Sequence, residues 1–383
     1  TGRSVYLLDE RLKLEKSRRV SPGLAELAVG LGAEGAYRGA SDRLARYCGG
    51  RVISHEGVRR QCLRAGERIR AGEGQRGAAW GGKRVVGAIF VVADGLWVSV
   101  RGRGRREVKM SVTHEGWEVR QGRGDTTDYA LVGARHHTTL GGAGELWAAT
   151  YSSLCSEFDL ERSTVVVCGD DAGWIREALE YFPGAMFQRD RYHVARDLRV
   201  ALAHLPRRRE AALRQLQAGN VAAVVRELAE GRDETPPGPA RERLSRLAAS
   251  VAEGAHEIMD YRLRLKALGR PVSPHWRGPG VAESQVKRYK DRLRGAAWSV
   301  DGLEAMLALL DRRFDGTLED ALAGLDGELK PQPPALKGLL PRQVPLAVGH
   351  GSYGVRQGHF PALDGPAEGF AALLRELGRI KPL

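Results

Sequence analysis

The stretch Val165-Val166-Val167-Cys168-Gly169-Asp170-Asp171-Ala172-Gly173-Trp174-Ile175 constrains the chain more than any other. Its β-branched run predicts a buried strand from Thr164 to Gly169, and the residues after the two carboxylates pass directly into a helical pattern ending near Phe182. Such a strand delivers Asp to the C-terminal edge of a sheet, where α/β folds gather their reactive groups. A second strand pattern, Val85 to Ala93, ends in Asp94-Gly95 and carries another acid to a strand end. The fold class expected is therefore α/β, and two strand-borne acids suggest a metal.

Composition narrows the partners. The 383 residues carry a formal charge of +13, and clustered Lys and Arg gain affinity for nucleic acid by releasing its condensed counterions. The four cysteines, Cys48, Cys62, Cys155 and Cys168, form no CxxC pair, which points away from a zinc ribbon or a disulfide framework and fits a reducing compartment. No stretch approaches the ~20 apolar residues of a membrane span, so no membrane partner is expected and the location expected is cytoplasmic, with the nucleoid. The chain begins with Thr1 rather than Met, which suggests a fragment or a processed product.

Residues 1–80 read as a helical, basic region: sixteen Lys and Arg face nine Asp and Glu, over half of the surplus charge. Ala40 to Cys48 forms a short amphipathic helix with Leu44 and Tyr47 inward, Gly49-Gly50 breaks it, and Ser54 caps a second helix running to about Ala65. This spacing suits a helix-turn-helix that presents His55, Arg59 and Arg60 to a DNA groove while Val58 and Cys62 pack inward. The same pattern also serves plain helix packing. A Gly-rich linker, Gly72 to Gly82, leads to three strand patterns, Val85 to Ala93, Leu96 to Val100 and Val108 to Val112, which read as an antiparallel meander.

Residues 81–200 then continue with a helix over Gly141 to Ser156, the Asp170 strand, and a short strand, Ala185 to Phe187, between helices. A meander followed by alternating helix and strand is the order of a ribonuclease H-like core. Residues 201–275 form an all-α insertion, in which Leu244, Leu247, Val251, Ala255, Ile258, Arg262 and Leu265 predict one long helix after the break Thr235-Pro236-Pro237-Gly238-Pro239. Residues 276–313 return to the core. Their helix, Val281 to Gly295, sets Glu283, Lys287, Lys290 and Arg294 on one side and Val286, Tyr289 and Leu293 on another. Residues 314–383 are an extension with a last amphipathic turn near Phe370 to Leu377.

Phosphodiester cleavage needs charge neutralisation on both sides of an in-line displacement, which two Mg²⁺ or Mn²⁺ ions about 3.5–4 Å apart supply. Hard ions of this kind take carboxylate oxygens rather than thiols. Asp94, Asp170 and Glu283 would supply three. Trp276, beside His275 and Arg277 in a loop, is the candidate for stacking on a base, whereas Trp174 and Trp298 suit the core.

The order Ala93-Asp94-Gly95, Gly169-Asp170-x-Ala172-x-Trp174-Ile175, Asp190-Arg191-Tyr192-His193, Glu283-Ser284-x-x-Lys287 and Trp298-Ser299 resembles the DDE transposases of bacterial insertion sequences, in particular the ISLre-type family, which is related to the Mutator-like transposases. The resemblance runs from about Leu7 to Arg313. It implies a ribonuclease H-like catalytic core with an all-α insertion, an N-terminal DNA-binding region, two Mg²⁺ or Mn²⁺ ions, and cutting and joining of double-stranded DNA by a homo-oligomer assembled on the DNA. By position, Asp94, Asp170 and Glu283 match the three acids that hold metal and act in catalysis. Asp190 and His193 match an accessory (Cys/Asp)-x-x-His signature. The family commonly has Gly where this chain has Asp171, and strand alternation allows one of the two adjacent acids to face a site. Two alternatives stay open: a catalytically idle DNA-binding protein, and a nuclease without strand transfer.

Overall fold

The computed structural model describes residues 20–75, 82–121, 127–278 and 280–325. The middle of the expected Gly-rich linker, the start of the resemblance near Leu7 and the turn near Phe370 to Leu377 lie outside the described residues. The described residues form two compact units: those up to Glu73 together with those from Asp301, and those between Gly74 and Val300.

The described part of the first unit begins with three helices: α1 (Pro22–Glu34), α2 (Tyr37–Tyr47) and α3 (His55–Gln75). Ser21 starts α1 by accepting from the Leu24 N–H, with Pro22 at the first helical position. Ser54 accepts from the Gly57 N–H at 3.1 Å and starts α3 as its residue type predicts. Gly49 makes the expected turn with φ +71°. Leu44, Val58 and Cys62 are buried, each aliphatic side chain contributing about 1.5–3 kcal/mol of burial. Tyr47 departs from expectation: it closes the last turn of α2 and is 48% exposed. α3 also runs ten residues past the expected Ala65, since Ile69 continues its buried stripe.

The second unit is built on a five-stranded mixed sheet of order β5-β2-β1-β6-β7, comprising β1 (Ile89–Val100), β2 (Gly104–His114), β5 (Arg135–Thr139), β6 (Val165–Gly169) and β7 (Met186–Arg189). A separate hairpin joins β3 (Trp117–Gln121) and β4 (Thr127–Leu131). β1 corrects the expected meander. Asp94-Gly95, a turn signal in sequence, lies inside one continuous strand, because β2 pairs with β1 without a break from Phe90↔His114 to Val100↔Gly104. Asp94 is thus a mid-strand residue, and the third antiparallel strand is β5, which pairs with β2.

α4 (Ala143–Glu157) covers one face of the sheet, where Leu146, Trp147 and Leu154 meet Ile89, Val91, Ala93, Val165 and Val167. After β6 come two short helices, α5 (Gly173–Arg176) and α6 (Ala178–Tyr181). After β7, α7 (Arg191–Ala201), α8 (Pro206–Ala218), α9 (Val221–Glu234), α10 (Pro239–Glu253) and α11 (Ala255–Ile258) share their own core of Leu198, Leu202, Leu216, Val224, Leu228, Leu244 and Val251. The expected long helix is therefore three pieces, α10, α11 and α12 (Tyr261–Ala267). Gly254 interrupts the first, and Asp260 accepts from the Arg262 N–H to begin the last.

The opposite sheet face carries Phe90, Val92, Val166 and Cys168 against Tyr261, Trp276 and Ala282. α13 (Val281–Leu293) lies on this side with Val286, Tyr289 and Leu293 inward, as the spacing predicts. Helices α14 (Val300–Phe314) and α15 (Leu318–Leu325) follow. Within the first unit α14 crosses α3 so closely that a Cβ on Gly66 would collide with the Ala305 backbone. Among the described residues no helix is long and apolar enough to cross a membrane. The architecture is mixed α/β.

Candidate active site

β1 and β6 run parallel, with register from Ile89↔Val165 to Val92↔Cys168. Two residues further along, Asp94 stands within β1 and Asp170 just past the end of β6, where neighbouring strands run about 4.8 Å apart in the pairing direction. Both line one cleft of about 340 Å³, together with Gly95, Trp97, Arg105, Glu107, Ala172, Trp174, His193, Arg196 and Lys290. Asp94 is 8% exposed, and its Oδ1 accepts from the Gly95 N–H at 2.7 Å. Burial holds its pKa above the ordinary carboxylate range, and the negative charges of Asp170 and Glu283 push the same way; the Gly95 hydrogen bond and His193 oppose them.

Asp170 Oδ1 accepts from the Ala172 N–H at 3.0 Å, which fixes the loop behind β6. Asp171 faces elsewhere: Arg176 donates to it at 2.6 Å and Arg189 stands 3.5 Å from it. The same Arg176 reaches Glu257 of α11 at 2.6 Å. Adjacent carboxylates thus have separate surroundings, Asp170 in the cleft and Asp171 in an arginine network.

Asp190 caps α7, accepting from the Tyr192 N–H at 2.9 Å through Oδ1 and meeting His193 Nδ1 at 2.9 Å through Oδ2. The hydrogen bond to Asp190 raises the His193 pKa, burial opposes it, and the charges of Asp190 and Asp94 raise it further. With Nδ1 engaged, Nε2 is the nitrogen left to act in the cleft.

Glu283 sits in the first turn of α13, where a carboxylate complements the helix dipole. Its side chain is 45% exposed and stands 3.8 Å from Lys290. Glu283 is near enough to perturb Asp94 but is not part of the cleft lining. Among the described residues no three His, Cys, Asp or Glu side chains form a ready metal cage. By donor type, the carboxylate oxygens of Asp94, Asp170 and Glu283 are of the kind a hard divalent cation takes.

Lys287 and Arg294 are exposed along α13, with Lys290 half-buried in the cleft wall; Arg294 pairs with Asp291 at 3.0 Å. In the first unit His55 and Arg60 are exposed at the start of α3, and Arg59 and Arg60 both reach Glu56, at 2.7 and 3.4 Å. The stacking role expected of Trp276 is corrected. Its ring is 9% exposed and edge-on to Phe90 at 5.4 Å, because the loop that holds it folds over the sheet and buries its largest apolar side chain.

Glu107, Trp97 and Arg196 are cleft residues that sequence reading passes over, whereas Arg105 belongs to the Arg-rich turn, Arg101 to Arg106, that the sequence offers as a phosphate contact or a solvated tip. Glu107 is brought in by strand pairing: its carboxylate occupies the space where a side chain on Gly95 would be, and the register Trp97↔Glu107 sets the two residues side by side. Alternation along Gly104 to His114 was the available signal, without the register that gives it meaning.

The chain is similar to proteins of Caldanaerobacter subterraneus subsp. tengcongensis. One UPF0236 protein, carried under eleven locus names, is 24% identical over 227 residues, covering 58% of this chain and 45% of the relative. Another, carried under four, is 24% identical over 324 residues, covering 80% of this chain and 62% of the relative. The chain thus spans about half to three fifths of the length of these relatives. The model of an uncharacterised protein family, UPF0236, matches residues 1–323, and the chain belongs to that family.

Proposed function

We propose that the chain is the ribonuclease H-like core and DNA-binding region of a metal-dependent DNA transposase, a homo-oligomer on double-stranded DNA at the nucleoid. The observation that carries the reading is the shared cleft of Asp94 and Asp170 on parallel neighbouring strands. Three antiparallel strands continued by two parallel ones, and a helical segment with its own core before Glu283, support it. A relative carried under eleven locus names in one genome supports it as well, since mobile DNA multiplies its own gene.

Asp94, Asp170 and Glu283 would hold Mg²⁺ or Mn²⁺, which supplies Lewis-acid activation of the attacking and leaving oxygens when bound. The chain's own residues do the rest. Burial of Asp94 keeps its carboxylate fixed and poorly solvated, so that it favours a cation over water. His193, oriented by Asp190, offers a donor at Nε2 toward a phosphate oxygen in the cleft. Lys290 and Arg196 supply positive charge at the cleft wall, and Lys287 and Arg294 extend it along α13 toward flanking phosphates. His55, Arg59 and Arg60 would contact DNA from the first unit.

The test is cleavage and joining of DNA that carries the element ends, with Mg²⁺ or Mn²⁺ present. Asp94→Asn, Asp170→Asn and Glu283→Gln should each abolish both products while duplex binding persists. Undiminished cleavage by all three variants would remove the reading, and free ends without joined molecules would reduce it to a nuclease.

A further inference from the structure

β6 pairs with β1 only as far as Val92, so beyond Asp94 the strand is paired with β2, and at its far end also with Trp298. On this projecting ribbon Leu96, Val98 and Val100 are buried, whereas Trp97 is 58% exposed. The register sets Gly95, Trp97 and Ser99 opposite Lys109, Glu107 and Arg105, so that one ribbon face is a single indole among small or charged side chains. Trp97 is among the residues that line the cleft of Asp94 and Asp170.

An indole left in water forgoes the gain of burying its large apolar area, and a cleft wall is where such exposure marks a ligand contact. We propose that Trp97 is the stacking platform for an unpaired nucleobase beside the phosphate at Asp94 and Asp170, an assignment that rests on the transposase reading for its place in the reaction. The surrounding charges fit this ligand. Arg105 has no ion-pair partner among the described residues and lines the cleft with Arg196, so the cleft offers cations to a strand's phosphates. Glu107, opposite Trp97 and 3.6 Å from Lys109, repels phosphate from the ring itself and leaves the neutral base as the group that settles there. A cleft of about 340 Å³ has room for a base and its phosphate.

The test uses the full chain, in EDTA so that no cleavage intervenes, and a fluorescein-labelled oligo(dT) of about twelve nucleotides, within the usual length of a single-strand site. Removing one base–aromatic stack costs about tenfold in affinity. By fluorescence anisotropy Trp97→Ala should therefore bind oligo(dT) about tenfold more weakly than wild type, while Trp97→Phe keeps most of the affinity and a blunt duplex binds all three alike. Equal oligo(dT) binding by wild type and Trp97→Ala, equal loss in the Ala and Phe variants, or a parallel loss on blunt duplex would each overturn the subsite. Failure of the two readings is separable: Trp97-dependent oligo(dT) binding without metal-dependent cleavage by wild type removes the transposase and keeps the subsite, and the reverse pattern removes the subsite alone.

Discussion

Replacing His114 with Phe should make the protein resist acid better than the wild type does. His114 ends β2 beneath the site strand, stacked on Phe90 at 5.0 Å and edge-on to Trp117 at 4.8 Å. Its Nδ1 stands 3.1 Å from the Gly116 carbonyl, to which it can donate, and 3.2 Å from the Gly116 N–H, while Nε2 is buried without a partner. Burial, together with nearby His136, lowers its pKa from 6.5 to about 4, and the Gly116 contact opposes that shift. The folded state thus prefers the neutral ring. Above pH 6.5 the stability is complete; between 6.5 and about 4 the unfolded chain takes up a proton that the folded chain refuses; below about 4 both are protonated. At about 1.4 kcal/mol per pH unit the full window comes to about 3 kcal/mol, of which about 2 kcal/mol is lost by pH 5. Phe keeps the stack, and the lost hydrogen bond to Gly116 costs about 1 kcal/mol independent of pH. Urea unfolding at pH 7, 6, 5 and 4.5 should show the wild type losing stability relative to His114→Phe as the pH falls. A difference that stays constant across this range would refute the buried, neutral histidine.

Other perturbations probe the site and its frame. Mn²⁺ should raise the melting temperature of the wild type but not that of Asp94→Asn, read by differential scanning fluorimetry against an EDTA control, because the ion would lose its buried oxygen donor. Gly66→Leu should destabilise the first unit by about 1–3 kcal/mol, since its side chain meets the Ala305 backbone; an unchanged denaturant midpoint would show that α3 and α14 do not cross there. A double-mutant cycle on Arg176→Gln and Glu257→Gln should give a coupling of about 1 kcal/mol for this partly exposed pair, with zero coupling as the contrary result. Leu244→Ala, emptying the centre of the helical core, should cost about 2–5 kcal/mol in unfolding free energy.

Helical phase was legible wherever one apolar stripe faces one neighbour: Val58 with Cys62, and Val286, Tyr289 and Leu293, lie inward as their spacing predicts. The same signal misled over Leu244 to Leu265, because α10, α11 and α12 keep an apolar stripe across breaks that only Gly254 and Asp260 mark. β5 was invisible because Arg135-His136-His137-Thr138-Thr139 lacks apolar alternation; it is a strand through its pairing with β2. Trp276, polar by its sequence neighbours, is core by its spatial ones.

By itself the sequence determined that a buried strand would deliver Asp170 to a sheet edge, that Asp94 would lie on another strand, and that Glu283 would start a helix with a cationic outer side. Those are local facts, set by β-branched runs and by spacing along one element. The tertiary structure alone decided which strand lies beside which, and with it that Asp94 and Asp170 share a cleft, that Asp171 belongs to Arg176, and that Trp97 and Glu107 line the same cleft as the acids. Strand pairing is a contact between residues far apart in the chain, and no local pattern encodes its register.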